Sequence, residues 1–342
     1  MGRKLYIVIG CDTDPDREGY VGKIPENTLS WRGMLEGSLA LKDSLQKVTD
    51  SRGVSPVISW CLRADYQIKK TYGSYGHILS EHKQFFLDLE TSGDELSWHP
   101  HFWNYDEEQK CWYQDFLNRE WQLEMLEKAH ADYQQHLPGR AKSVRMGWDY
   151  HNNETIAKLD QLSVEVDFSG IPGLKLDPKN DQARAANFFD WYLTPNHPYF
   201  PSRNDYRREA RDAEQTLGIL ESPNFVSKSL MWSMVRGFAL GLKMKDPIQV
   251  LRALIRPSYW IGITGKPRYF IPVVSQLKRI PAEQSNVVFV SYFHPDELIE
   301  NNSTLYSLAN MKENIKTLVS KADRLGFETR FVRARDIPDL IQ

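Results

Sequence analysis

The sequence predicts an α/β fold in which parallel strands are covered by helices, with the regularity of a barrel-type α/β enzyme. Three observations predict it. Apolar, β-rich runs alternate with helical patterns at a spacing of about 30–45 residues, the rhythm of strand, crossover helix, strand. Two of those runs, Leu5-Tyr-Ile-Val-Ile9 and Asn286-Val-Val-Phe-Val-Ser-Tyr-Phe293, are apolar on both sides instead of alternating, as strands covered on two faces are. The residues able to do chemistry fall at the carboxyl ends of strands, where parallel sheets carry their sites.

Taken in order, Leu5–Ile9 runs into Gly10-Cys-Asp-Thr-Asp-Pro-Asp16, which sets carboxylates at positions 12, 14 and 16. Alone, these acids also read as a polar turn that caps the next helix. Thr28 to Asp50 is helical in pattern, with Leu35, Leu39, Leu45 and Val48 apolar. Val54–Leu62 is a second strand and ends in Arg63-Ala-Asp65. Gly76–Thr91 is a helix with Ile78, Leu79, Phe85, Phe86 and Leu89 on its apolar side. Then comes Glu95-Leu-Ser-Trp-His-Pro-His-Phe-Trp103. In an extended segment, side chains two apart share a side, so the imidazoles of His99 and His101 converge. Imidazole is a common ligand of divalent transition metals, and a carboxylate from the first strand would complete a set.

Phe116–His136 is the strongest helical pattern, with Trp121, Leu123, Leu126 and Ala129 on one face and Leu137-Pro-Gly139 as its stop. Ser143–Trp148 reads as a strand, Asn152–Leu162 as a helix and Val164–Phe168 as a strand. Gly170 to about Asn224 is rich in proline and irregular, with a helical patch at Gln182–Tyr192; Lys228–Leu242 and Pro247–Ile255 are helical. The chain is therefore expected to be one catalytic domain, 1–342, with an irregular and helical excursion at about 170–260. Asn286–Phe293 ends in His294-Pro-Asp-Glu297, Thr304–Leu325 is an amphipathic helix stopped by Gly326, and Glu328–Val332 is the last strand.

The totals exclude several classes. Forty-three basic against 45 acidic residues give a net charge of −2, so no global basic field invites nucleic acid. No apolar run approaches the roughly 18–20 residues of a transmembrane helix. The short apolar stretch at the N-terminus reads as a strand and not as a signal peptide, and a cytoplasmic location is expected. Three widely spaced cysteines, Cys11, Cys61 and Cys111, offer no disulfide framework and no zinc knuckle. Nothing in the sequence sets the oligomeric state.

In motif order the chain resembles the polysaccharide deacetylases with the NodB-homology fold, carbohydrate esterase family four. Cys11-Asp-Thr-Asp14 stands where that family has paired acids. Gly93-Asp-Glu-Leu-Ser-Trp-His99-Pro-His101 stands for its histidine motif, Ser143-Val-Arg145-Met-Gly-Trp148 for its arginine motif, and Glu165-Val-Asp167-Phe-Ser169 for its later aspartate. Pro198-Tyr-Phe-Pro-Ser202, Leu220-Glu-Ser-Pro223 and the strand ending in His294 are also similar. Two features depart from the usual pattern: Thr13 separates the acids, and the histidines are two apart where many members place them four apart, so that Asp16 competes with Asp14 as a candidate ligand.

The resemblance implies a distorted barrel with a divalent metal at its C-terminal mouth, held by Asp14, His99 and His101. Zn²⁺ suits that set, and Co²⁺ or Ni²⁺ would also. It implies Asp12 as general base, His294 as general acid toward the leaving amine, and Arg145 as the partner that orients Asp12 and holds its charge. Asp167 would tune His294 through its second ring nitrogen or reach the arginine. Trp98, Phe102, Trp103 and Trp148 would form flat walls for a sugar ring, and His77, His151 and His197 are expected in solvent. The expected activity is hydrolysis of an N-acyl group on a small-molecule or oligosaccharide substrate in surface-polysaccharide biosynthesis. The alternatives are hydrolysis of a non-sugar C–N bond and a catalytically inactive carbohydrate-binding protein of the same fold.

Overall fold

The computed structural model describes residues 2–16, 29–176, 183–184, 189–244, 248–299 and 305–341. Its frame is an eight-stranded sheet, all parallel: β1 (Arg3–Thr13), β2 (Ser59–Arg63), β3 (Glu95–His99), β6 (Ser143–Val144), β7 (Val166–Asp167), β13 (Leu220–Glu221), β14 (Asn286–Phe293) and β15 (Phe327–Phe331). β1 is the spine. One edge pairs continuously with β14, from Lys4↔Asn286 to Cys11↔Phe293. The other is shared, β15 against Arg3–Ile7 and β2 against Gly10–Thr13. From β2 the sheet runs on through β3, β6, β7 and β13 and curls into a half-barrel.

The apolar character of β1 follows from burial on both faces. Leu5, Ile7, Ile9 and Cys11 join the larger core under the helices, while Tyr6 and Val8 point into the barrel with Cys61, Val166, Phe168, Leu220 and Val290. The interior is tight enough at Gly10 that a β-carbon there would lie 2.8 Å from the Phe168 ring. Ile337 of α11 (Ile337–Ile341), with Val332 and Ala334, closes the interior at the amino end of the strands.

The covering helices are α1 (Arg32–Leu45), α2 (Tyr66–Tyr72), α3 (His77–Glu81), α4 (Lys83–Thr91), α5 (Arg119–His136), α6 (Asn153–Gln161), α9 (Pro267–Ser275) and α10 (Leu308–Arg324). Their starts are set by side-chain caps: Asp65 accepts from the Gln67 and Ile68 amides, Asn152 forms a reciprocal box with Thr155, and Ser307 accepts from Asn310. A hairpin of β4 (Trp103–Asp106) and β5 (Cys111–Asp115) follows the histidine segment, and β9 (Ala183–Arg184) pairs with it. The excursion holds two small antiparallel pairs, β8 (Lys175–Leu176) with β10 (Phe189–Asp190) and β11 (Pro201–Ser202) with β12 (Asp205–Glu209), and then the helices α7 (Leu230–Met244) and α8 (Ile248–Ile255).

Several expectations are corrected. The helix expected over Gly76–Thr91 is two helices, broken at His82, whose ψ of 26° leaves the helical range. The strand expected over Ser143–Trp148 stops after two residues, and the chain beyond it turns through left-handed backbone at Trp148 and Asp149, with φ of 57° and 53°. The helical patch at Gln182–Tyr192 is absent where it is described: Ala183–Arg184 and Phe189–Asp190 are strands, because pairing with Gln114–Asp115 and Lys175–Leu176 overrides local propensity. Trp191 and Tyr192 are not helical either, Gln182 and residues 185–188 lie outside the described residues, and so do Thr28 and Thr304, the expected starts of two helices. The described parts of those helices begin at Arg32 and Leu308.

Candidate metal and catalytic site

Because the strands are parallel, their carboxyl ends meet at one mouth, and most of them deliver a polar side chain there. His99 is the last residue of β3, and His101 follows across Pro100. Their rings meet edge to face at 88°, with the Nε2 atoms 3.0 Å apart. Asp14, just beyond β1, brings Oδ1 to 3.2 Å from His101 Nε2 and 3.7 Å from His99 Nε2. All three side chains are buried, and one ligand atom from each lies within 4.8 Å of the other two.

The protons on these groups favour a cation. His99 Nδ1 donates to the Arg145 carbonyl at 2.5 Å, which fixes the tautomer and turns the Nε2 lone pair toward Asp14 and His101. Burial, with repulsion from Arg63, pushes the His101 pKa down to about 4, so its ring is neutral at pH 7. Burial alone would raise the Asp14 carboxyl, but His101 and Arg63 hold it well below the usual carboxylate range. Two imidazoles and a carboxylate whose ligand atoms converge are the donor set of a divalent transition metal. The residues present fit such an ion.

Around this set stand two buried arginines. Arg63, at the end of β2, donates Nη1 to Asp14 at 2.5 Å, Nε to Asp65 at 2.7 Å and Nη2 to Gln67 at 3.0 Å. Asp65 also accepts from the His101 amide at 3.1 Å, so one carboxylate ties Arg63 to the histidine backbone. Arg145, just after β6, places Nε 2.9 Å from Asp12, donates Nη1 to the Phe168 carbonyl at 3.0 Å and pairs Nη2 with Asp149. Its guanidinium carbon lies 3.3 Å over the Tyr292 ring. Burial raises the Asp149 carboxyl to about 6 against the pull of Arg145. His294, after β14, is the part-open member at 21% side-chain exposure. Its Nε2 is 3.6 Å from Asp14 and 4.0 Å from Asp12, and its Nδ1 is 3.6 Å from Glu297, which accepts from Thr264 Oγ1.

The structure thus brings Asp12, Asp14, His99, His101, Arg145 and His294 to one place. Asp167 is different. Its Oδ2 lies 2.8 Å from His151 Nε2 and its Oδ1 accepts from Ser169, so it neither tunes His294 nor serves the arginine. Glu297 faces the second nitrogen of His294, and Asp149 is the arginine's second carboxylate. Beside Asp167 lies Glu221, whose carboxyl burial and the Asp167 charge raise well above its ordinary value. His151, expected in solvent, is buried with them. Asp16 does not compete for the cluster, because it accepts from Ser30 Oγ and from the Gly33 amide at the start of α1.

Of the expected aromatic walls, Trp98 and Phe102 are core residues, the indole of Trp98 donating to the Ala64 carbonyl. Trp103 is buried but lies parallel to His101, and Trp148 stands edge-on to Trp103 and reaches solvent. Sequence reasoning missed Arg63, Asp65, Asp149, Glu297 and the Tyr292 ring. For Arg63 and Asp65 a signal existed, since they end a strand as the other site residues do.

No protein-family model matches the chain, and no curated protein matches it in sequence. Two solved structures have a similar fold. A provisionally assigned glycoside hydrolase/deacetylase from Parabacteroides distasonis superposes with a TM-score of 0.56 at 13% identity, over 99% of this chain and 71% of that one. A provisionally assigned polysaccharide deacetylase from Mycobacterium smegmatis gives a TM-score of 0.51 at 11% identity, over 100% and 91%. At such identities the likeness is one of fold, and the fold is the α/β barrel of the deacetylase type.

Proposed function

We propose that the protein is a metal-dependent N-deacetylase of a carbohydrate, acting on an N-acylated sugar in surface-polysaccharide assembly. The observation that carries this reading is the buried convergence of Asp14, His99 and His101 beside an arginine-held Asp12 and a part-open His294. The names carried by two structures of similar fold support the substrate class. A divalent cation held by those three residues would supply Lewis acidity at the acyl carbonyl and acidify water at neutral pH.

The remaining roles belong to the chain's own groups. Asp12 is held by Arg145, whose Nε lies 2.9 Å from both of its carboxylate oxygens, and this orients it to take a proton from the attacking water. His294, positioned on its far side by Glu297, donates a proton to the leaving amine as the C–N bond breaks, giving acetate and the free amino sugar. Each such proton transfer is worth about 10²–10⁴ in rate. Trp148 at the rim offers a flat apolar face to a sugar ring.

Elemental analysis of purified wild type beside His99→Ala tests the reading, followed by acetate release from N-acetylated sugars. About one equivalent of transition metal in wild type, lost in the variant, together with acetate release, is the expected result. Wild-type protein that carries none and takes up no Zn²⁺, Co²⁺ or Ni²⁺ would overturn it.

A further inference from the structure

Helices α7 and α8 pack together through small residues and turn large ones outward. A β-carbon on Gly237 would lie 3.0 Å from Ala253 Cβ and from the Gln249 carbonyl, and Ser233, Gln249 and Ala253 are buried. On the outer face of α7, Met231, Val235, Phe238 and Leu242 follow at helical spacing as one stripe, and Leu251 and Ile255 extend the apolar surface on α8. These six side chains are 54–81% exposed. Scattered exposed apolar residues are ordinary, but a stripe of this length on adjoining helices marks a docking surface.

The charge of the segment that carries the stripe points to what covers it. Residues 225–280 contain ten lysines and arginines and one acid, Asp246, a formal charge of +9 in a chain whose total is −2. The rest of the chain therefore carries −11. A second copy docked through the same face would bring two segments of like net charge together. A bilayer rich in acidic headgroups matches both the apolar stripe and the positive charge of the segment that carries it. The 15-residue α7 is about 22 Å long by its rise, short of a bilayer core, and among the described residues no helix is long and apolar enough to cross a membrane.

We propose that the α7–α8 hairpin docks the protein on an anionic lipid surface, lying in the headgroup plane with its apolar stripe in the acyl boundary. The hairpin adjoins the site. Trp232 of α7 packs on Tyr259 at 5.4 Å between ring centroids, and the next residue, Trp260, stacks at 4.7 Å on the Tyr292 that underlies Arg145. Docking through this face brings the mouth of the barrel close to the lipid surface.

The test is sedimentation of the full chain with vesicles of phosphatidylcholine alone and with about one-third phosphatidylglycerol, at low and high salt. We expect at least roughly tenfold tighter binding to the acidic vesicles, weakened by salt. The Val235→Ser, Phe238→Ser, Leu242→Ser triple variant should lose about tenfold or more while keeping the wild-type melting temperature, since these side chains are exposed. Failure of wild type to sediment with acidic vesicles would overturn the proposal, as would undiminished binding by a folded triple variant. A dimer in sizing experiments that the triple variant abolishes, without vesicle binding, would assign the face to a second copy.

Discussion

The replacement of Gly147 by alanine probes the metal cluster without touching a ligand. Gly147 lies against His101: a β-carbon on it would fall 2.2 Å from ring Cγ, 2.3 Å from Cδ2 and 2.4 Å from Nδ1. Ordinary contact begins near 3.4 Å, so one of the two must withdraw by more than 1 Å. Neither backbone is free to do so, because the Gly147 amide donates to the Pro100 carbonyl at 2.9 Å and the His101 amide is tied to Asp65. The ring is left to move, away from the nitrogen and oxygen with which it converges. Overpacking of this kind costs about 1–3 kcal/mol of stability. A ligand displaced by about an ångström should cost at least the roughly 10–100-fold in metal affinity seen when a ligand's support is lost. Competition with a chromophoric chelator measures that affinity, and Co²⁺ absorption reports the coordination geometry. Gly147→Ala should weaken binding and alter the spectrum while remaining folded. A folded variant that binds metal as wild type does would refute the placement of His101 in the cluster.

Other substitutions separate the remaining roles. In Arg145→Lys a point donor replaces a fork that reaches Asp12, the Phe168 carbonyl and Asp149 together. The expected outcome is a fall in kcat of about 10²–10³ with metal content unchanged, read by steady-state kinetics beside elemental analysis. Asp167→Asn removes the charge that faces buried His151 and should lower the melting temperature by the equivalent of about 3 kcal/mol, with normal metal content and an unmoved pH–rate profile. A shifted limb of that profile would return Asp167 to the reaction. Asp50 has its pKa lowered in spite of burial, first by the Arg52 guanidinium that donates to its Oδ2 and then by the amides of Val54, Arg52 and Phe331. A depressed folded-state pKa stabilises above the unfolded value of about 3.9 and is lost as pH falls through the folded value. Asp50→Asn should therefore cost about 1–3 kcal/mol at pH 7 and lose less stability than wild type on acidification below about pH 4 in denaturant titrations.

What could be read from the sequence was what is local and periodic. Asn286–Phe293 was expected as a strand and is one to the residue, because continuous burial on both faces requires an unbroken apolar run. The two histidines share a side because two-residue alternation is a property of the extended chain. Long-range pairing was not legible. The short strands β6 and β7 hold two residues each, and their place in the sheet is set by neighbours and not by their own composition. The helix-like letters around Ala183 were overridden by a hairpin whose tight turn, with Lys110 at a φ of 49°, carries no Gly-containing signal. Asp167 shows the same limit at the site: its strand-end position was readable, but its partner was decided by a turn through Trp148 and Asp149 that brings His151 back beneath it.

The charges explain why one carboxylate cluster is tied to arginines and the other is not. Around the histidines, Asp12, Asp14, Asp65 and Asp149 are buried with Arg63 and Arg145, four formal negative charges against two positive. Isolated buried charge costs several kcal/mol per ion, so an excess of two should drive protonation, and Asp149, raised to about 6, shows that pressure. Asp14, however, is held well below the ordinary range and cannot relieve it by taking a proton. A divalent cation would offset two charges at the point where Asp14 meets the two imidazoles. In the His151–Asp167–Glu221 group burial and the Asp167 charge raise the Glu221 carboxyl well above its ordinary value, so the pressure of two adjacent acids falls on Glu221. Of two buried acidic clusters at the strand ends, the first sets its depressed carboxylate against two imidazoles and the second against one.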